Sequence, residues 1–142
     1  MKKNSLKLMV IVMAFAVMLA CDRSTPLALY EPRSQEEQSL KSVLMAFQDG
    51  VIDKDADTVM RFIHEQASIM INGHYLSKTE YARILPDRLA ENSHMALGKP
   101  KMKVSGDGAQ IRIYMTRGDN TFLVNFNMKK EDGNWYIMGW EY

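Results

Sequence analysis

The chain has 142 residues, enough for one domain with short additional segments. Its 18 Lys and Arg residues nearly balance its 17 Asp and Glu residues, which gives no electrostatic case for nucleic acid binding. The single cysteine excludes a disulfide framework within one chain.

The first 20 residues have the three parts of a secretory signal. Three lysines in the first seven residues form a basic start, and the 13 residues from 8 to 20 are all apolar. A helix needs roughly 20 apolar residues to cross a bilayer core of about 30 Å, so this run is too short to span one. Because the run ends at the small residue Ala20, the sequence predicts a signal peptide over residues 1–20.

The end of this segment resembles a known modification site. Val17-Met18-Leu19-Ala20-Cys21 is similar to the lipobox of bacterial lipoproteins. The resemblance implies that Cys21 receives a diacylglyceryl group, becomes the new N-terminus and anchors the mature protein in a membrane. Methionine and leucine at the third and second places before the cysteine depart from the pattern, and ordinary cleavage after Ala20 is the alternative. Asp22 resembles the signal that keeps lipoproteins at the inner membrane of some Gram-negative bacteria, facing the periplasm.

The sequence predicts that residues 21–33 form a tether between the lipid and the domain. Two prolines interrupt this stretch, and its apolar residues do not recur at helical or strand spacing. Twelve flexible residues span on the order of 20 Å, enough to lift a domain away from lipid headgroups. Packing of Leu27, Leu29 and Tyr30 on the domain is the alternative.

Three amphipathic segments with capping residues follow. Ser34 begins a capping box, and apolar residues then recur at helical spacing until about Asp53. Asp55 can cap a second, short helix. Ser77-Lys78-Thr79-Glu80 is a second capping box that begins a third helix. Since Pro86 lacks an N–H and clashes with the preceding turn, this helix is predicted to stop near residue 85 or to kink there.

Strand patterns surround and follow the third helix. Asn72-Gly73 predicts a tight hairpin before it. Apolar residues then alternate over residues 104–116 and 121–128, with turn residues between these runs and again at 131–134. The last strand, 135–142, carries large side chains on both faces and is predicted to be central or covered on both sides. The alternating lysines at 99, 101 and 103 are typical of an exposed edge strand, and a patch for phosphates or lipid headgroups is the alternative.

This order of helices, hairpin and long meander indicates an α+β domain over residues 34–142. It resembles the nuclear-transport-factor-2-like superfamily, which includes ketosteroid isomerase and scytalone dehydratase. The motifs that carry the resemblance are Phe47 followed by Asp53-Lys54-Asp55, then Ile71-Asn72-Gly73, Ser77-Lys78-Thr79-Glu80, Val104-Ser105-Gly106-Asp107-Gly108-Ala109 and Gly133-Asn134-Trp135. The resemblance implies a cone-shaped, curved antiparallel sheet wrapped around three N-terminal helices, a largely apolar pocket in its open end, and frequent dimerisation through the sheet.

The resemblance also locates catalytic positions. Ketosteroid isomerase needs a carboxylate base and acid donors in an apolar pocket. Counted from Asp55, its tyrosine donor falls on Phe47 and its base on Ile71, and neither side chain can transfer a proton. A histidine–carboxylate pair such as His64 with Asp87 would suit a dehydratase, although nothing in the spacing brings the two together. The sequence shows no metal-ligand cluster with usable spacing and predicts no cofactor.

Five residues that combine apolar bulk with polar tips are predicted to line the pocket. They are Tyr81, Tyr114, Met115, Asn125 and Trp140. The alternative is that they fill an ordinary core or a dimer interface.

Three functions are compatible with these patterns. The preferred one is a membrane-anchored lipoprotein whose non-catalytic domain binds a small apolar ligand or a protein partner. The second is a dehydratase, isomerase or hydrolase that uses a histidine in the cone. The third is a homodimerising assembly module, with large side chains of the sheet as its interface; these are Tyr114, Leu123, Tyr136 and Trp140.

Overall fold

The computed structural model describes residues 25–92 and 94–142. The predicted signal peptide and Cys21 therefore lie outside the described residues. The helices are α1 (Gln35–Ile52), α2 (Ala56–Arg61) and α3 (Lys78–Glu91), preceded by a 3-10 turn at Leu27–Leu29. The strands are β1 (Ser68–Ile71), β2 (His74–Ser77), β3 (Ala96–Leu97), β4 (Lys101–Ser105), β5 (Gly108–Arg117), β6 (Asn120–Glu131) and β7 (Asn134–Glu141). None of the helices in this part of the chain is long and apolar enough to cross a bilayer.

The helices begin where the sequence places polar caps. The side chains of Ser34, Asp55 and Ser77 each accept a hydrogen bond from a backbone N–H in the first turn of the helix that follows. Ser77 and Glu80 complete a reciprocal capping box. At Ser34 only half of the predicted box forms, because the carboxylate of Glu37 is bonded to residues that precede the helix.

Helix α3 continues through Pro86 to Glu91. Pro86 cannot donate to the carbonyl of Ala82 one turn earlier. Both residues lie on the exposed side of the helix, where water can satisfy that carbonyl. The prediction that the helix stops near residue 85 is therefore wrong, and the alternative of a kink there stays a prediction.

The main sheet has five antiparallel strands. Both β3 and β4 pair with β5, which pairs with β6, and β6 pairs with β7. The register between β6 and β7 shifts at Asn127/Met128, and such a bulge increases the local bend of a sheet. Because β7 pairs only with β6 among the strands of this sheet, it is the last strand of the sheet rather than a central one. The separate β1–β2 hairpin covers it so closely that a Cβ at Gly139 would overlap the carbonyl oxygen of Ser68.

The core lies between α1 and the inner face of the sheet. Alternate residues of β5 and β6 are buried against it, as the period of two predicts. Phe47 of α1 contacts Phe126 and Trp140, with ring centroids 6.1 and 5.8 Å apart. The predicted α+β class, a curved antiparallel sheet against three helices, is confirmed.

The described part of the predicted tether packs on the domain. Leu27 and Tyr30 are buried, Pro26 forms a β-bridge with Gly98, and Lys41 donates to the carbonyls of residues 28 and 30. Leu29, in contrast, is 69% exposed. The alternative prediction, packing on the domain, is thus confirmed for Leu27 and Tyr30, and the tether prediction for residues 21–24 lies outside the described residues.

A buried carboxylate fastens this segment to α1. Glu37 is only 6% exposed and accepts hydrogen bonds from the Tyr30 hydroxyl (2.6 Å), the Arg33 backbone N–H (2.8 Å) and the Arg33 guanidinium (2.8 Å). These donors, the Arg33 guanidinium first and the Tyr30 hydroxyl next, lower the pKa of Glu37 to about 2.

We expect the stability of the domain to fall at acid pH because of Glu37. Its pKa is lower in the folded state than in the unfolded state, so its stabilisation is present above about pH 4.5 and is lost as the pH falls towards 2. The loss should be about 2 kcal/mol in the free energy of unfolding, measured by urea denaturation of residues 22–142 over this range.

Glu37→Gln should remove the part of the pH dependence that Glu37 contributes and leave the part that comes from other carboxylates with a lowered pKa, such as Glu36 and Glu131. Glu31→Gln, which removes an exposed carboxylate of the same segment, is the matched control and should retain the contribution of Glu37. An unchanged acid profile in Glu37→Gln would contradict the prediction.

Candidate functional site

A small cavity lies at the open end of the cone, between α1, β1, α3 and the ends of β5 and β7. Its volume is about 30 Å³, room for about two water molecules. Its lining residues are Phe47, Val51, Ile71, Tyr81, Leu85, Arg88, Leu89, Asn92, Met95, Met115, Arg117, Trp140 and Tyr142. The interior of the cone is thus mostly filled, with a polar opening.

Trp140 forms one wall of the cavity. Its ring lies 5.5 Å from Tyr81, 5.8 Å from Phe47 and 5.9 Å from Phe126, between centroids. Such tilted and edge-on contacts are favourable for aromatic rings. The indole is therefore held in place by neighbours from α1, α3 and β6.

Two hydrogen-bond donors of the cavity have no protein partner. The Nε1 atom of Trp140 and the Nε atom of Arg117 are both buried, and neither donates to any acceptor of the described residues. A buried donor without an acceptor costs about 1–3 kcal/mol, so most such groups in proteins are paired. These two atoms mark the polar part of the site.

The hydroxyl of Tyr81 remains protonated in this setting. Burial raises the pKa of Tyr81 to about 12, although the positive charges of Arg88 and Arg117 act in the opposite direction. Tyr81 is therefore a neutral side chain that can donate or accept a hydrogen bond.

A wider, open depression lies next to the cavity. It has a volume of about 290 Å³ and is lined by Arg88, Glu91, Asn92, Arg117, Asn120 and Phe122. Arg88, Asn92 and Arg117 belong to both linings. The depression, which we call the vestibule, is thus adjacent to the inner cavity, and two arginines lie at the boundary between them.

Three of the five predicted pocket residues line the cavity. These are Tyr81, Met115 and Trp140, and their role in ligand binding stays a prediction. Tyr114 and Asn125 do not line it. Because side chains alternate across a strand, their buried neighbours Met115 and Phe126 occupy the inner face and they lie on the outer one.

Sequence reasoning missed both arginines. Arg117 lies at the end of β5, at a position interpreted as a turn, and Arg88 lies beyond Pro86, where the helix was expected to stop. Alternation from Met115 along a longer β5 would have placed Arg117 on the inner face.

The two positions that correspond to the isomerase donor and base do line the cavity. They are occupied by Phe47 and Ile71, whose hydrocarbon side chains cannot take up or release a proton. The cavity therefore lacks the acid–base groups of ketosteroid isomerase at the positions where the resemblance places them.

His64 has a carboxylate partner, but not the predicted one. Its Nε2 atom lies 2.8 Å from Oε2 of Glu131, and its Nδ1 atom accepts a hydrogen bond from the backbone N–H of Gln66. A neutral ring with the proton on Nε2 satisfies both contacts. The hydrogen bond from His64, and then the charge of Lys129, lower the pKa of Glu131.

This pair connects secondary-structure elements and does not face the cavity. The backbone N–H of His64 donates to the carbonyl of Ile137, and Ile137 donates to Phe62. These backbone hydrogen bonds hold the segment after α2 against β7, while the two ring nitrogens of His64 are engaged with Glu131 at the end of β6 and with the backbone of Gln66. Neither His64 nor Glu131 lines the cavity. Within the described ranges, no three His, Cys, Asp or Glu residues are placed to hold a metal ion.

Comparisons with solved structures identify the fold. The chain is similar to a nuclear-transport-factor-2-like protein from Cytophaga hutchinsonii, with 14% identity and a TM-score of 0.66 over 75% of this chain and 95% of that one. It is also similar to a candidate ketosteroid isomerase from Shewanella frigidimarina, with 17% identity and a TM-score of 0.64 over 72% and 94%.

A third similar structure has a different description. It is a candidate calcium/calmodulin-dependent protein kinase II association domain from Xanthomonas campestris, with 10% identity and a TM-score of 0.68 over 84% of this chain and 93% of that one. No protein-family model and no curated protein sequence matches the chain. At these identities the likeness extends to the fold alone, since one fold supports many functions. The described chain thus has the curved-sheet cone fold of the nuclear-transport-factor-2-like superfamily.

Proposed function

We propose that the mature protein is a lipid-anchored protein of the cell envelope whose cone domain binds a small ligand without transforming it. The observation that carries the binding part is the cavity beneath the vestibule, with rigid aromatic walls and a polar opening. Ligand sites combine apolar walls with a few placed polar groups in this way.

The lining of the cavity supports a non-catalytic role. It contains no Asp, Glu, His or Cys side chain, and these are the usual proton acceptors and nucleophiles near neutral pH. Tyr81, whose pKa is raised to about 12, does not supply a base.

The anchor follows from the lipobox-like residues and has a geometric consequence. Because residues 25–33 pack on the domain, only four peptide steps separate Cys21 from Thr25, a reach of about 14 Å when fully extended. A lipidated Cys21 would hold the domain against the headgroups. In a Gram-negative cell, Asp22 favours the inner membrane, with the domain in the periplasm.

The surface near Thr25 suits this position. A groove there is lined by exposed Leu29 and Lys101. An apolar side chain and a lysine at the end of a lipid anchor complement the acyl boundary and the phosphates, respectively.

Cys21→Ser should release the protein from the membrane. The variant cannot form the thioether to diacylglycerol, so it should move from the membrane fraction to the soluble fraction of the cell envelope. Mass spectrometry of the wild-type protein should show cleavage before Cys21 and the added lipid. Ser24→Ala, a neutral change in the same segment, should stay with the membrane; a membrane-bound Cys21→Ser protein would contradict the anchor.

Ligand binding is tested with a fragment library on ¹⁵N-labelled residues 22–142, which contain every described core residue. Fragments that bind should shift the indole N–H signal of Trp140. Tyr81→Ala removes a cavity wall and should weaken such fragments by roughly tenfold or more, because a buried aromatic contact is lost.

Tyr114→Ala, on the outer face of the sheet, is the matched control and should leave their affinity unchanged. If no member of a library of neutral, cationic and anionic fragments moves the Trp140 signal, the ligand-binding function is wrong.

A homodimer through the outer face of the sheet stays a prediction. Tyr114 pairs with Leu123 there, and Tyr136 lies on the neighbouring strand; all three are half-buried. Trp140, which was expected in this patch, lies on the inner face instead. Light scattering of residues 22–142 should give twice the monomer mass if the dimer forms, and a monomer at high concentration would exclude it.

A further inference from the structure

We propose that the ligand of the cavity is a small organic carboxylate, whose oxygens accept hydrogen bonds from Arg117 and Trp140. This inference rests on the proposed ligand-binding function and specifies the chemistry of the same site. It assigns a role to the two buried donors that the fold leaves without acceptors.

The polar groups of the cavity favour an acceptor over a donor. An indole N–H and a guanidinium can only donate hydrogen bonds. A cationic or donor-only ligand would leave the Trp140 and Arg117 donors unpaired. A carboxylate has two oxygens with about four acceptor positions, and it can face a guanidinium with parallel hydrogen bonds.

Charge points to the same class of ligand. Arg88 and Arg117 both line the inner cavity, and no acidic side chain does. The carboxylate of Glu91 belongs only to the outer vestibule, where it is exposed. A ligand anion entering the cavity would therefore meet two positive charges in a partly desolvated setting, where such pairs are stronger than in water.

At the other tryptophan of the chain, the protein itself supplies the acceptor. Trp135 Nε1 donates to Glu36 at 2.8 Å, and Lys130 donates to the same carboxylate at 2.6 Å. Those hydrogen bonds, the one from Lys130 first, lower the pKa of Glu36. Trp140 and Arg117 bring an indole and a cation to the cavity, and no Asp or Glu side chain of the lining pairs with them.

Size selects a carboxylate among anions. The inner cavity of about 30 Å³ holds about two water molecules, comparable to the two oxygens of a carboxylate. The tetrahedral phosphate group, with four oxygens, is larger. The vestibule of about 290 Å³ is near the lower limit of small-molecule sites, and the 40% exposed ring of Phe122 offers an apolar contact for the body of the ligand.

Benzoate is the probe, and benzyl alcohol is its neutral counterpart of similar shape. The two indole N–H signals of ¹⁵N-labelled residues 22–142 report on binding. Benzoate at millimolar concentration should shift the Trp140 signal and leave that of Trp135 in place, because Trp135 is already bonded to Glu36. The affinity of benzyl alcohol should be lower than that of benzoate by roughly tenfold or more, since benzyl alcohol lacks the charge that Arg117 pairs with.

Arg117→Gln should weaken benzoate by roughly ten- to a hundredfold, the range for hydrogen bonds to a charged group, and should leave benzyl alcohol unchanged. Arg112→Gln removes the same charge from the exposed face of β5 and is the matched control. An unchanged Trp135 signal and melting temperature verify that each variant is folded.

Four results would overturn the carboxylate inference. Equal affinity for benzoate and benzyl alcohol would agree with ligand binding but would show that the charge of the ligand does not contribute to it. Equal loss in Arg112→Gln and Arg117→Gln would assign the effect to net charge. Displacement of benzoate by inorganic phosphate at lower concentration would identify a phosphate site. If some fragments of the library bind but benzoate does not shift the Trp140 signal, the carboxylate inference is likewise wrong, whereas the proposed ligand-binding function stands.

Discussion

The position of Trp140 determines both the core and the site. One face of the indole packs among rings from α1, α3 and β6, so its orientation is fixed by three separate elements. Its Nε1 atom is buried at the cavity without a protein acceptor. The residue that closes the cone thus also carries an unpaired donor, and the free energy lost there must be offset by the packing around it.

The elements of the fold follow from local signals, and their arrangement does not. Ser34, Asp55 and Ser77 begin helices because a side-chain oxygen next to a free N–H is a local interaction. The alternation in β5 and β6 is equally local. The edge position of β7 depends on which strands pair, and large side chains on both faces predicted only a strand that is central or covered on both sides. The β1–β2 hairpin, which covers β7 without extending the main sheet, explains that pattern.

The site was less predictable than the fold for a related reason. Tyr114 and Met115 are neighbours in sequence, and alternation allows only one of them to face the cavity. Arg88 and Arg117 come from different elements and meet only in the folded chain. No spacing pattern joins residues on α3 and β5. An unpaired buried donor is visible only when every possible acceptor has a position, so sequence reasoning could not find it.

The cavity places polar groups differently from an isomerase built on the same fold. Where the resemblance expects a base and a donor, Phe47 and Ile71 present hydrocarbon. The unpaired donors instead belong to two other residues of the lining, Arg117 and Trp140. Groups that can only donate stabilise a negative charge but cannot remove a proton from a ligand. A cone with this distribution is therefore suited to the small carboxylate that we propose as its ligand.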